Sequence, residues 1–297
     1  MLSFLPSWLR GTLSVVLMTM NTLFWFPFLL VAALLKLFSP ATFIRRFFTR
    51  VLIYIANAWV SFNSAIQKLI NRIRWDIRGL SSLNPKDWYF VTCNHQSWAD
   101  ILVIQHVLNG KIPMLKFFLK KELIWVPIMG ICWWALDFPF MKRYTKAFLE
   151  KHPELAGKDL ETTRKACEKF KYTPVTVFNF IEGTRFTEQK HQRQQSPFKH
   201  LLKPKAGGAA FVLGAMGEQL HTMLDITIVY PQRAPSFWEY LCGKAHCIVV
   251  DIKTIKLPES FLGRNYETDE AFKKDFQQWI TQLWYEKDHR LHILKQS

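Results

Sequence analysis

No acidic side chain occurs before Asp76 in this 297-residue chain, although eight basic residues do: Arg10, Lys36, Arg45, Arg46, Arg50, Lys68, Arg72 and Arg74. A base-rich, acid-free first quarter speaks against a cationic partner. Because it is interleaved with the most apolar sequence in the chain, it reads as a segment held against anionic headgroups. Cysteine is scarce: the five residues Cys93, Cys132, Cys167, Cys242 and Cys247 form an odd set without a CxxC pair. That pattern suggests neither a disulfide framework nor a zinc site and fits reduced cytosolic thiols. Internal repeats and low-complexity linkers are also missing, which leaves one catalytic-sized domain with a hydrophobic anchor.

What is present is charge and grease. The formal charge is +16, from 39 Lys+Arg against 23 Asp+Glu, with 49% hydrophobic and 15% aromatic residues, so the chain is neither disordered nor fibrous. Nucleic acid competes for the same positive charge, but no recognisable nucleic-acid-binding module accompanies it.

Residues 11 to 35 carry no charged side chain, and a helix of that length covers a hydrocarbon core of about 30 Å. The apolar run is too long for a cleaved signal peptide and lacks its small-residue cleavage site. A second uncharged run, residues 51 to 67, is shorter and interrupted by Asn57, Ser61, Asn63 and Ser64, and is expected to be an interfacial or re-entrant helix. Lys36, Arg45, Arg46 and Arg50 follow the first run and only Arg10 precedes it, so the positive-inside bias puts the rest of the chain in the cytoplasm. Residues 1–75 are thus read as membrane-anchoring helices and residues 76–297 as an α/β domain.

In that domain, strands are expected at Trp88 to Thr92, Val175 to Ile181, Asp225 to Tyr230 and Ala245 to Ile255. A closing amphipathic helix carries Phe272, Phe276, Trp279, Ile280, Leu283 and Trp284 on one stripe. Residues 123 to 136 hold 14 uncharged positions with three tryptophans, suited to an interfacial wall or to a buried helix.

Two motifs carry chemistry. In NHQSWAD, His95 leaves a strand and Asp100 follows five residues later. On one helix these would face about 140° apart. If His95 lies in the turn and the helix starts near Ser97, Asp100 on its first turn aims back at the imidazole. The carboxylate then fixes the tautomer and the other nitrogen takes a proton from a hydroxyl. A plain capping box with a satisfied turn histidine fits the same spacing. A nucleophilic Cys93 is a weaker reading, because a thiol in an apolar strand is usually inert. In FIEGTRF, an apolar strand runs into Glu182, Gly183, Thr184 and Arg185, where a glycine turn, backbone amides and a guanidinium suit an anion. An ordinary turn with a Glu182/Arg185 surface pair is the bland alternative.

With 81 residues between Asp100 and Glu182, the ordered pair of motifs resembles the PlsC-like glycerolipid acyltransferase family, over roughly residues 80 to 235. WALDFPFMKRY and GKDLETTRKACEKF add a likeness to the inner-membrane acyltransferases of Gram-negative bacteria. The resemblance implies a mixed sheet flanked by helices, the glycerol-3-phosphate acyltransferase-like fold, with an N-terminal membrane-embedded helical motif. It implies His95 as general base, oriented by Asp100, and a substrate-binding set of Asn94, Lys120, Phe140, Arg143, Glu182, Gly183, Thr184, Arg185 and Pro231. Arg143 stands in an altered block, LDFPFMKR, with Lys142 beside it; Lys116 and Lys121 compete with Lys120; Tyr230 replaces a small or apolar residue before Pro231. The implied reaction moves a fatty acyl group from acyl-CoA or acyl carrier protein to a lysophospholipid hydroxyl, lysophosphatidic acid first and lysophosphatidylglycerol as an alternative. No metal, no further cofactor and no nucleic acid are implied.

Overall fold

The computed structural model describes residues 2–81, 83–141, 165, 168–171, 173–266 and 268–296. The uncharged N-terminal run becomes α1 (Ser7–Phe38), which folds back through a short turn onto α2 (Thr42–Ile70). Helices satisfy their own backbone groups and so suit lipid. Between the two helices, Asn21 Nδ2 donates to Asn63 Oδ1 at 2.9 Å and to the Trp59 carbonyl at 3.0 Å. Phe24, Phe28, Val31, Phe47, Tyr54 and Phe62 point outward. The segment 51–67 is helical, as expected, but forms the middle of a longer, uninterrupted α2. Its polar residues are contact points: Asn63 meets α1, while the Asn57 carbonyl and Ser61 Oγ accept from Asn109 Nδ2 at 3.1 and 2.8 Å.

Among the described residues α1 is the one helix long and apolar enough to cross a membrane. Both of its ends, however, are tied to the globular part. Ser14 Oγ donates to the Leu241 carbonyl at 3.2 Å, while Lys36 Nζ donates to the Ala135 carbonyl at 3.3 Å and pairs with Asp137. These anchor points lie about 33 Å apart along the axis. The helix therefore runs along the domain rather than away from it.

The expected boundary between residues 75 and 76 falls inside a strand, β1 (Arg74–Arg78), so the mixed domain begins at Arg74. Then follow β2 (Tyr89–Cys93), α3 (Ala99–Leu108), β3 (Leu115–Phe117), β4 (Leu119–Lys120), α4 (Met129–Ala135) and β5 (Phe140–Met141). After them come β6 (Thr176–Asn179), α5 (Glu188–Gln194), α6 (Ala206–Met216), β7 (Thr222–Val229), α7 (Phe237–Leu241), β8 (Cys247–Lys256) and α8 (Glu270–Gln296). Six strands form one sheet in the order β1-β8-β7-β2-β6-β3. Every pairing in it is parallel except β7 with β8, and β4 and β5 pair separately.

Side-chain alternation sorts the sheet's two faces. Phe90, Val177 and Met223 pack with α6 and α8 on one face. Tyr89, Val91, Cys93, Leu224, Ile226 and Ile228 pack with α3 and α7 on the other. The α8 stripe is core as expected, with Phe272, Phe276, Ile280, Leu283 and Trp284 buried.

Charge also crosses the α8 face. Asp225 on β7 is fully buried and meets Lys287 Nζ at 2.7 Å, Arg290 Nη2, and Thr92 Oγ1 at 3.1 Å; Lys287 is equally buried. Removing one member of such a set strands a buried charge. Asp225→Asn should therefore cost about 3–5 kcal/mol of stability, read from denaturant or thermal melts in detergent. A loss under about 1 kcal/mol would show that this network does not hold α8 to the sheet.

Candidate active site

Three neighbouring parallel strands, β7, β2 and β6, end on the same sheet edge, the usual place for ligands in parallel sheets. Each releases a motif there: β2 leads to Asn94 and His95, β6 to Glu182, and β7 to Tyr230 and Pro231.

His95 and Asp100 meet, as the spacing allows for a turn followed by a helix start. The chain turns after β2, Ser97 Oγ accepts from the Ala99 amide at 3.0 Å, and α3 starts at Ala99 with Asp100 as its second residue. His95 Nδ1 lies 2.9 Å from Asp100 Oδ2. The same oxygen accepts from the amides of Gln96 (2.7 Å) and Ser97 (2.9 Å), and Oδ1 accepts from Tyr230 Oη at 2.7 Å. A carboxylate only accepts, so in the neutral imidazole this contact puts the hydrogen on Nδ1 and the lone pair on Nε2. Phe180 stacks on the imidazole with centroids 3.8 Å apart, and the histidine side chain is 9% exposed.

Two residues expected to touch substrate are otherwise engaged. Asn94 is fully buried; its Nδ2 donates to the Ile228 carbonyl at 2.9 Å and its Oδ1 accepts the Ile228 amide at 2.8 Å. It clasps β2 to β7. Glu182 is likewise buried, its oxygens accepting the His95 amide and the Leu202 amide, each at 2.9 Å. The Phe186 amide donates to the His95 carbonyl at 2.7 Å, so the turn after β6 grips the His95 backbone on both sides. Burial pushes the Glu182 carboxyl up from 4.5 to about 7, against the opposing pull of those two amides.

Gly183 holds φ at +69°, and a Cβ there would stand 3.0 Å from Lys205 Cδ. Thr184 and Arg185 are half-buried, and their amides have no hydrogen-bond partner among the described residues. Lys190 Nζ donates to Thr184 Oγ1 (2.8 Å) and the Arg185 carbonyl (3.0 Å), and the Arg185 guanidinium lies 4.8 Å from the Trp98 ring centre. This is a turn with two free amides and three cations, suited to an anion. Lys190, Trp98 and Tyr230 were not read as site residues from the sequence. The signals available were a lysine five residues past Arg185, an aromatic inside the His95–Asp100 spacing, and the departure from the family pattern at Tyr230.

The other candidates stand apart. Lys120 is exposed on β4, which pairs with β5 and Phe140 outside the main sheet. Its rival Lys116 is buried, donates to the Leu136 carbonyl at 2.8 Å and lies 4.4 Å from the Phe170 ring centre. Arg143 and Lys142 fall outside the described residues. Pro231 is exposed directly after Tyr230. Cys93 is completely buried, which pushes its thiol well above the usual range and removes it as a nucleophile. Among the described residues no group of His, Cys, Asp and Glu is placed to hold a metal ion.

A family model described as "Acyltransferase" matches residues 74–230, which hold both motifs and all three strand ends of this edge. The chain belongs to that family. It is 27% identical over 211 residues to the 1-acyl-sn-glycerol-3-phosphate acyltransferase delta of Mus musculus, covering 64% of this chain and 53% of the relative. It is 26% identical over 223 residues to the gamma protein of Homo sapiens, covering 71% and 54%. The chain thus spans about half the length of these relatives. The crystal structure of the 1-acyl-sn-glycerophosphate acyltransferase PlsC from Thermotoga maritima shares the fold with a TM-score of 0.55 at 15% identity, over 95% of this chain and 96% of that one. In this acyltransferase-family chain, the clasp makes Glu182 the residue that holds the histidine backbone.

Glu182→Gln should set an amide donor against one of the two backbone donors, at a cost of about 1–3 kcal/mol. The folded carboxyl keeps its proton up to about 7, whereas an ordinary one releases it at 4.5. The folded chain therefore binds more protons in that window, and stability contributed by Glu182 is full below 4.5 and declines as pH rises through 7. Thermal melts across this range should show a shallower decline for Glu182→Gln than for wild type. Parallel curves would contradict this account.

Proposed function

We propose that the protein is a membrane-bound O-acyltransferase that transfers a fatty acyl group from a thioester to the free hydroxyl of a lysophospholipid, with lysophosphatidic acid as acceptor and phosphatidic acid as product. The observation that carries this reading is the His95 Nδ1–Asp100 Oδ2 contact of 2.9 Å on the edge that also presents the Thr184–Arg185 turn. The names of the relatives support the choice of acceptor.

In this mechanism the acceptor hydroxyl gives its proton to His95 Nε2 as its oxygen attacks the thioester carbonyl. The tetrahedral oxyanion collapses, the carbon–sulfur bond breaks, and the departing thiolate takes the proton from the imidazolium. Asp100 accepts from Nδ1 throughout and stabilises the imidazolium. The free amides of Thr184 and Arg185, in the turn after β6, serve as donors to the oxyanion, and Arg185, Lys190 and Lys205 supply charge for the acceptor phosphate. Acyl-CoA and acyl carrier protein both offer the required thioester. Because these groups recognise a phosphate rather than what it carries, lysophosphatidylglycerol is the alternative acceptor.

The membrane supplies the acceptor. The α1–α2 hairpin, held along the domain, embeds its outward aromatic face in one leaflet, with Arg45, Arg46 and Arg50 at its turn against anionic headgroups of the cytoplasmic side, the inner membrane in a Gram-negative cell. Trp125, 85% exposed just before α4, and the exposed Trp134 within α4 offer further aromatic surface to the interface. Replacing both tryptophans by alanine should weaken partition of the purified protein onto anionic vesicles in flotation assays; unchanged flotation would remove this surface from the membrane face.

His95→Ala should remain folded in membranes and lose acyl transfer by about 10²–10⁴-fold, measured by mass spectrometry of lipids made from acyl-CoA and a panel of lysophospholipids. Wild-type turnover by that variant would refute the assigned base.

A further inference from the structure

Asp100 carries a large demand for a single carboxylate. It is fully buried, and its Oδ2 accepts from His95 Nδ1, the Gln96 amide and the Ser97 amide. Its Oδ1 accepts from Tyr230 Oη at 2.7 Å and from no other described residue. Tyr230 is 3% exposed, at the end of β7, where the two-point bond between Asn94 and Ile228 fixes strand end to strand end. The clasp that places His95 therefore places the phenol as well.

We propose that Tyr230 is a positioning residue of acyl transfer that acts on His95 through Asp100, holding the carboxylate plane so that Oδ2 faces Nδ1 while the imidazole takes up and returns its proton. The inference rests on the reading of His95 as base. Its physical content is twofold. The terminal torsion of an aspartate is broad and roughly two-fold, so a carboxylate held by one oxygen alone can rock about that anchor. A buried carboxylate oxygen without a donor also loses the hydration it would have in water. The tyrosine answers both. Burial, and after it the neighbouring Asp100, push the phenol well above its usual range, so it stays a donor and does not compete for the transferred proton.

Tyr230→Phe keeps the ring and its burial and removes only the hydroxyl. In the full-length protein kcat should fall about 10- to 100-fold, with KM for lysolipid and thioester, and the melting temperature, near wild type. In an Asp100→Asn background, assayed at high enzyme concentration, the same substitution should cost less than about twofold, because no carboxylate remains to be held. Equal losses in both backgrounds, a loss confined to KM, or wild-type kcat in Tyr230→Phe would overturn the proposal. A readout independent of turnover is the low-field proton resonance of His95 Nδ1–H, identified by its loss in His95→Ala. That resonance should shift in Tyr230→Phe, and an unmoved resonance would overturn the proposal. Wild-type protein that acylates no lysolipid while the resonance still shifts would place the failure in the acyltransfer reading instead.

Discussion

The His95 backbone is held from both sides by one turn, and the rest of the site depends on that grip. Its amide donates to Glu182 and its carbonyl accepts from Phe186, so two motifs more than 80 residues apart in sequence are bonded main chain to motif at the strand ends. An imidazole on a free loop would spread over many positions, and proton transfer tolerates little misplacement. Here the ring is set by three constraints: the backbone grip, the Asp100 contact and the Phe180 face. Glutamate suits the gripping position because a carboxylate can accept from two amides at once. The consequence is a buried acid whose carboxyl is pushed up to about 7.

The same logic of burial with compensation runs through the sheet. Asp100, Glu182, Asp225 and Lys287 are all removed from solvent near the end of β2 or the strands beside it. Each is surrounded by donors or acceptors: Asp100 by four, Glu182 by two amides, Asp225 by a lysine, an arginine and a threonine. Buried ionic groups are weak contributors to net stability, but a mismatched one is costly, so such a set penalises any register of β7 on β2 other than the observed pairing of Thr92 with Asp225. Register decides which side chains leave the strand ends, so these charges and the site are parts of one specification.

Much of this was legible in the sequence. The four central strands announced themselves as apolar runs ended by motifs, and His95 with Asp100 could meet only through a turn followed by a helix start. The edge strand β1 was hidden because RWDIR alternates charge with bulk and is only half buried. The continuity of α2 was hidden because Asn57, Ser61 and Asn63 look like interruptions when the partner helices are not in view. Asn94 and Glu182 were assigned to substrate because a motif tells which residues gather, while the direction of an amide or carboxylate is set by backbone groups of distant strands. Tyr230 stood out as a departure, yet only the folded edge shows that its hydroxyl meets Asp100.

The same arrangement ties the proposed chemistry to the apolar hairpin. From Tyr230 the chain runs to Pro235, whose carbonyl accepts from Ser97 Oγ, then to the capping box of Ser236 and Glu239, and through α7 to Leu241, whose carbonyl accepts from Ser14 of α1. A segment of twelve residues thus bonds in turn to the Asp100 carboxylate, to the turn that carries the histidine, and to the apolar hairpin. Rigid short connections transmit position with little slack. Under the proposed function, an acceptor whose hydrocarbon chain stays in the leaflet would present its hydroxyl and phosphate at a depth set by the bilayer, and an embedded hairpin would set the depth of His95 by the same reference. Docking the helix along the domain is what would make the two depths commensurate in that reading.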